Sequence, residues 1–208
     1  SHASGSEPLL QSSGPTIFRR SIARMNVVTD SNMTEGPLAT RIATLPDIYM
    51  AAEYKWEHDG LWRPIRIGEC AAELDAAFPD AVRFGMLTAS NPGFAARGDT
   101  ENRDADRLLQ HELERLDLRH RPAVAIAHNR TWKAYNWLVI DPDADAFDAL
   151  ARRFGQIGTL LWSRNSPVRL RMRAKRPETL MAHPAIDWIG ETSGSESVPG
   201  EANQASTT

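Results

Sequence analysis

Hydrophobic and polar positions in the middle of the chain switch between a period of two and a period of three to four, and the switches mark the elements. Residues 48–56 (IYMAAEYKW) and 62–67 (WRPIRI) are short aromatic-containing stretches of strand character. His58-Asp59-Gly60 between them predicts a hairpin turn, and Pro64 makes the second stretch an edge strand or delays its start. Residues 69–78 put Leu74 and Phe78 on one face of a short helix stopped by Pro79, with Cys70 as a small packing residue on it. The apolar run 84–87 then reads as a buried strand. It leads into the polar loop Thr88-Ala89-Ser90-Asn91-Pro92, a glycine-punctuated connection, and a helix start at Asp99-Thr100-Glu101-Asn102.

The helix so begun spans 101–116, with Ala105, Leu108, Leu109, Leu113 and Leu116 at the spacing of a core-facing stripe. Asp99 or Thr100 serves as its cap, and Glu101 complements the helix dipole. Residues 122–127 (PAVAIA) and 135–140 (YNWLVI) are paired strands with Asn129-Arg130 at the turn. A helix over 146–154 carries Phe147, Leu150, Ala151 and Phe154 on one side. The aspartates at 141, 143 and 145 resemble the opening of a calcium loop. Ala146 stands where the loop needs glycine and Arg152 where it needs glutamate, so capping accounts for them better. Residues 159–162 form a further strand. In 168–174, Val168, Leu170 and Met172 face one way and Arg169, Arg171 and Arg173 the other. Residues 181–191, with Trp188 and Ile189, pack a short segment back onto the domain.

The predicted order is ββαβαββαββ: an α/β (α+β) fold with a mixed sheet and helices packed against it, in one domain over 42–191. Residues 1–41 and the polar tail 192–208 lack the apolar content to offset their ordering entropy and are expected to be poorly ordered. Within the first segment, residues 16–28 are basic with Phe18, Ile22 and Met25 at helical spacing, as in a targeting or membrane-surface helix. The patch is short and has no long apolar run, which favours sequence upstream of a natural start at Met25 or Met33.

Composition narrows the function classes. The formal net charge of −3 over 208 residues argues against a nucleic-acid partner. The single cysteine excludes an intrachain disulfide and points to a reducing cytoplasm. No apolar run approaches the roughly 18 residues that would span a bilayer. The six histidines have no metal-ligand spacing, and no metal or cofactor is expected. The arginine face is expected to be solvated, with a small phosphorylated ligand as the alternative for Arg169 and its neighbours.

Strand carboxyl ends in open α/β sheets commonly carry ligands. The candidate site is therefore a polar pocket of Thr88, Ser90, Asn91, Asn102 and Gln156, with help from Arg169. Carboxamides donate and accept, so such a pocket suits a nucleotide base, a sugar or an amide. Glu101 is the one carboxylate with a claim to catalysis. A helix N-terminus favours its charged form, so it orients a ligand better than it donates a proton. The competing class is a protein-interaction or inhibitory module, with Trp56, Trp62 or Trp188 in an exposed aromatic patch.

Four landmarks occur in sequence: Leu87 through Pro92; Glu101-Asn102; Trp132 with Leu138-Val139; and Arg152-Arg153-Phe154-Gly155-Gln156. Over about 49–162 they resemble the bacterial domain-of-unknown-function family 3293. The resemblance implies a small bacterial domain without specifying a reaction. The family pattern carries an acidic and a small hydroxyl residue soon after the tryptophan; the corresponding places here are Ala134 and Asn136. A general acid or base at that point of the family would be missing from this chain.

Overall fold

The computed structural model describes residues 38–190. Four helices and eight strands follow in order. They are α1 (Leu38–Ala51), β1 (Glu53–His58), β2 (Leu61–Ile65), α2 (Ala72–Ala77), β3 (Arg83–Leu87), α3 (Asp99–Arg115), β4 (Arg119–Ile126), β5 (Lys133–Ile140), α4 (Ala144–Arg153), β6 (Gly158–Ser163), β7 (Leu170–Met172) and β8 (Ile186–Trp188). All eight strands form one sheet, ordered β2-β1-β4-β5-β3-β6-β7-β8. Neighbours are antiparallel except β7 and β8, which run parallel, so the sheet is mixed and the fold is α+β.

The expected ββαβαββαββ order is present, with a helix added before it and a strand after it. The hairpin turn between β1 and β2 has Asp59 and Gly60 both at positive φ, the geometry that matches strand twist. Pro64 lies on β2, the sheet edge, where its missing donor costs no ladder bond. Asp143 caps α4 by accepting from the main-chain N–H groups of Asp145 and Ala146, as capping rather than calcium ligation requires.

Three local expectations are corrected. Ile48, Tyr49 and Met50 belong to α1, not to a strand, and β1 starts only at Glu53. Pro46 lies inside this helix, which is held by burial of Leu45 in the core rather than by intrinsic propensity. Cys70 is exposed and precedes α2; a bridge between Cys70 and Pro167 keeps that stretch extended. The N-cap of α3 is Gly98 rather than Asp99 or Thr100, and its N–H donates to Glu101 Oε2 at 3.0 Å. Residues 1–37, including the basic patch, and the tail 192–208 lie outside the described residues.

Side chains alternate across the sheet and bury two cores. One face carries Trp56, Phe84, Met86, Leu138, Leu160 and Leu170, closed by Leu45 of α1 and Leu74 of α2. The other carries Leu87, Trp137, Val139 and Leu161 beneath α3 and α4. Two glycines let helices approach the sheet. A Cβ on Gly85 would lie 2.5 Å from the Phe147 ring of α4, and one on Gly158 would lie 2.5 Å from the Tyr49 ring of α1. Trp188 and Ile186 of β8 pack against the first core, returning the C-terminal segment to the domain.

Candidate ligand site

A cavity of about 480 Å³ opens where the central strands end beneath α1. Its floor is the carboxyl ends of β3 and β4 and the amino ends of β5 and β6: Met86, Ala125, Ala134, Asn136 and Leu160. Ile48 and Tyr49 of α1 and Tyr54 of β1 form one wall. The turn between β4 and β5 supplies His128, Thr131 and Trp132, and the loop after β3 supplies Thr88, Ser90 and Asn91. Gln156 closes the side between α4 and β6.

Four of the sequence-predicted residues, Thr88, Ser90, Asn91 and Gln156, thus meet at one cavity. Asn102, Glu101 and Arg169 are absent from its lining. Asn102 sits behind the loop and holds it: the Asn91 N–H donates to Asn102 Oδ1 at 3.0 Å, and Asn102 Nδ2 donates to Asn91 Oδ1 at 3.1 Å and to the Arg97 carbonyl at 3.2 Å. Asn91 adopts a left-handed backbone (φ 47°), which asparagine tolerates better than most residues. Glu101 accepts from the Gly98 N–H, so its carboxylate serves the helix start.

The carboxamides divide their work. Gln156 Nε2 donates to the carbonyls of Ser90 and Phe154, both at 3.1 Å, and Asn136 Nδ2 donates to the Ala134 carbonyl at 3.0 Å. The Thr88 hydroxyl donates to the Tyr135 carbonyl at 2.6 Å and accepts from the Ser90 N–H at 3.0 Å. Ser90 Oγ, Asn91 Nδ2, Asn136 Oδ1 and Gln156 Oε1 have no hydrogen-bond partner among the described residues. Each of these three carboxamides, on Asn91, Asn136 and Gln156, thereby uses one polar atom within the protein and leaves the other without a partner among the described residues.

The imidazole of His128 lines the cavity, and two guanidinium groups bond to lining residues, Arg41 to the Gly93 carbonyl at 2.8 Å and Arg173 to Thr159 Oγ1 at 3.0 Å. None of the cavity's described lining residues bears a carboxylate, a guanidinium or an ammonium group. Burial pushes the phenols of Tyr49 and Tyr54 well above their ordinary value, so both are uncharged hydroxyls, and Tyr54 donates to the Tyr49 carbonyl at 3.0 Å. Among the described residues no three of His, Cys, Asp and Glu group to hold a metal ion.

The arginine row is neither a solvated face nor an open phosphate site. Asp148 of α4, buried above β7, takes Arg171 at 2.7 Å and Arg173 at 2.8 Å, and Arg173 also reaches Thr159 Oγ1 at 3.0 Å. Arg169 forms a two-pronged pair with Asp187 of β8. Burial raises the Asp148 pKa, and the hydrogen bonds and charges of Arg171 and Arg173 more than reverse it, leaving a net depression. The polar alternation of β7 was visible in sequence, but the carboxylates that neutralise it come from other elements.

Sequence reasoning missed Tyr49, Tyr54, His128 and Thr131 as lining residues. The apolar look of 48–56 concealed a helix, and no local signal marks the β4–β5 turn as a cavity rim. Of the three tryptophans proposed for an exposed patch, Trp56 is buried at 1% exposure, Trp188 packs on the core, and only Trp62 stands out at 45%.

The four sequence landmarks converge in space. The Gly93 N–H donates to the Gly155 carbonyl at 2.8 Å, Gln156 bonds Ser90, Asn102 bonds Asn91, and Trp132 stands across the cavity. Ala134 and Asn136, where the family pattern has its acidic and hydroxyl residues, both face the cavity. Among the described residues no helix is long and apolar enough to cross a membrane. No curated protein and no solved structure matches the chain. Residues 87–158 match the model of the family described as protein of unknown function (DUF3293), so the resemblance carried by the landmarks is a real one over that span.

Proposed function

We propose that the chain binds a small polar metabolite with an uncharged body, of the nucleobase, sugar or amide class, in the cavity beneath α1. The observation that carries this reading is the set of polar atoms on Ser90, Asn91, Asn136 and Gln156, without a partner among the described residues, at a space whose described lining holds no carboxylate, guanidinium or ammonium group. An apolar floor with a few convergent hydrogen-bonding groups is the usual make-up of a metabolite pocket. Such a lining discriminates against ions, which would leave water for unpaired dipoles. Glu101 takes no part in this reading, because it is engaged as a cap and no carboxylate of the described residues lines the cavity. The family resemblance and the single cysteine support a bacterial cytoplasm as the setting.

A thermal-shift screen of nucleosides, free sugars and carboxamides tests this. A ligand at a hundredfold its dissociation constant stabilises by about 2.7 kcal/mol. Ser90→Ala removes a hydroxyl with no partner among the described residues and leaves the unliganded stability within about 0.5 kcal/mol. It and Asn136→Leu are expected to abolish or weaken the shift. Absence of any shift in wild type, or a shift that survives both substitutions, overturns the reading.

One observation favours a protein partner instead: Leu61 and Trp62 stand exposed at 56% and 45% on edge strand β2. Trp62→Lys would then change the mass measured by light scattering of a complex while leaving every metabolite shift intact.

A further inference from the structure

The cavity has a charged neighbour. On the other side of the wall formed by Pro92, Gly93 and Gly155 lies a hollow of about 260 Å³, into which Arg97, Arg152 and Arg153 converge over a floor of Ala89, Ala105 and Leu108. Arg153 is committed, reaching Glu112 at 2.8 Å. The guanidinium groups of Arg97 and Arg152 have no hydrogen-bond or ion-pair partner among the described residues. They come from positions more than fifty residues apart, and both line one apolar-floored hollow.

Arg97 is not placed by chance of a loose loop. Its N–H donates to Asn91 Oδ1 at 3.0 Å and its carbonyl accepts from Asn102 Nδ2 at 3.2 Å. The Asn91–Asn102 pair that shapes the cavity rim therefore also pins the backbone of the arginine. Ala96 lines the cavity and the next residue lines the hollow, so the two spaces are one residue apart along the rim. Gly155, at φ +65°, lines both; a Cβ there would lie 2.6 Å from the Pro92 Cβ, and only glycine keeps the wall this thin.

Resting on the reading of the cavity above, we infer that the ligand is a phosphorylated small molecule: its uncharged polar body lies in the cavity and its phosphate reaches over the rim to Arg97 and Arg152. Two guanidinium groups at one hollow suit a phosphate better than any neutral group. The cavity lined by hydroxyls and carboxamides and the arginine-lined hollow then read one molecule by two different chemistries.

The test compares four nucleosides with their 5′-monophosphates by calorimetric titration against wild type and an Arg97→Gln/Arg152→Gln double variant. Both side chains are exposed, so the variant is expected to melt as wild type does. At least one monophosphate is expected to bind wild type about tenfold or more tightly than its nucleoside, with an advantage that fades as salt rises. In the double variant the advantage disappears while nucleoside affinity is unchanged. Equal affinity of nucleoside and monophosphate for wild type, or an advantage that survives the double substitution, overturns the inference and leaves the cavity reading standing. Binding of neither panel, with Ser90→Ala also silent, overturns both.

Discussion

Asn91 and Asn102 hold one another through two reciprocal hydrogen bonds, 3.0 and 3.1 Å long, across eleven residues of chain. The pair joins the end of the central strand's loop to the first turns of α3, and each asparagine uses both donor and acceptor character to do so. At position 102 neither aspartate nor leucine reproduces this, because Asn102 uses both its Oδ1 and its Nδ2. Asn102→Ala is expected to lower stability by about 1–3 kcal/mol, because it leaves the Asn91 N–H and Oδ1 short of partners. Urea denaturation measures the loss, and hydrogen exchange of the 91–98 amides is expected to speed up with it.

Glu101 accepts from the Gly98 N–H as a cap and does not line the cavity. Glu101→Gln keeps an acceptor for the Gly98 N–H and should cost under about 0.5 kcal/mol, whereas Glu101→Ala should cost about 0.5–2 kcal/mol. Neither is expected to change affinity for any metabolite that shifts the wild-type melting point. A loss of binding in Glu101→Gln at unchanged stability would put the carboxylate in the site after all.

Gly158 is where α1 touches the sheet most closely. Gly158→Ala drives a methyl group into the Tyr49 ring, which lies 2.5 Å from the Cβ position. Overpacking of this kind costs about 1–3 kcal/mol. The helix, rather than the eight-stranded sheet, is expected to yield, so amide exchange should rise in α1 and stay slow in β3 and β5. Uniform acceleration across the sheet would contradict this division of the fold.

Asp148 makes stability depend on acid. Its folded pKa is depressed, so the carboxylate's contribution is complete above the ordinary aspartate value of about 3.9 and is lost as pH falls through the lower folded value. Wild type is expected to lose stability on that descent. Asp148→Asn removes the anion between Arg171 and Arg173, lowers stability at neutral pH by about 3–5 kcal/mol, and flattens the acid limb. Denaturation at a series of pH values reads both effects; an unchanged acid limb in the variant would assign it to other carboxylates.

The elements legible in sequence were those whose own residues carry the decisive period. The apolar run of β3, the Asp59-Gly60 turn and the Asp143 cap are local facts, written within a few residues and enforced by backbone geometry, whereas the expected stripe of α3 is only partly present: Ala105, Leu109 and Leu113 are buried, but Leu108 and Leu116 stand exposed at 61% and 41%. That the loop after β3 lines a cavity was legible for the same reason, since a polar run at a strand's carboxyl end is visible without knowing its neighbours. Tertiary structure decided everything that depends on who packs beside whom. Residues 48–50 look like a strand, yet Tyr49 fits against Gly158, more than a hundred residues away, and the segment is helical. The β7 arginines look solvated, yet Asp148 and Asp187 meet them from a helix and a strand that the chain brings back later or earlier. Sequence patterning reports which side of an element is apolar; only the assembled sheet determines which charge, carboxamide or ring stands opposite, because those partners are set by long-range packing and not by period.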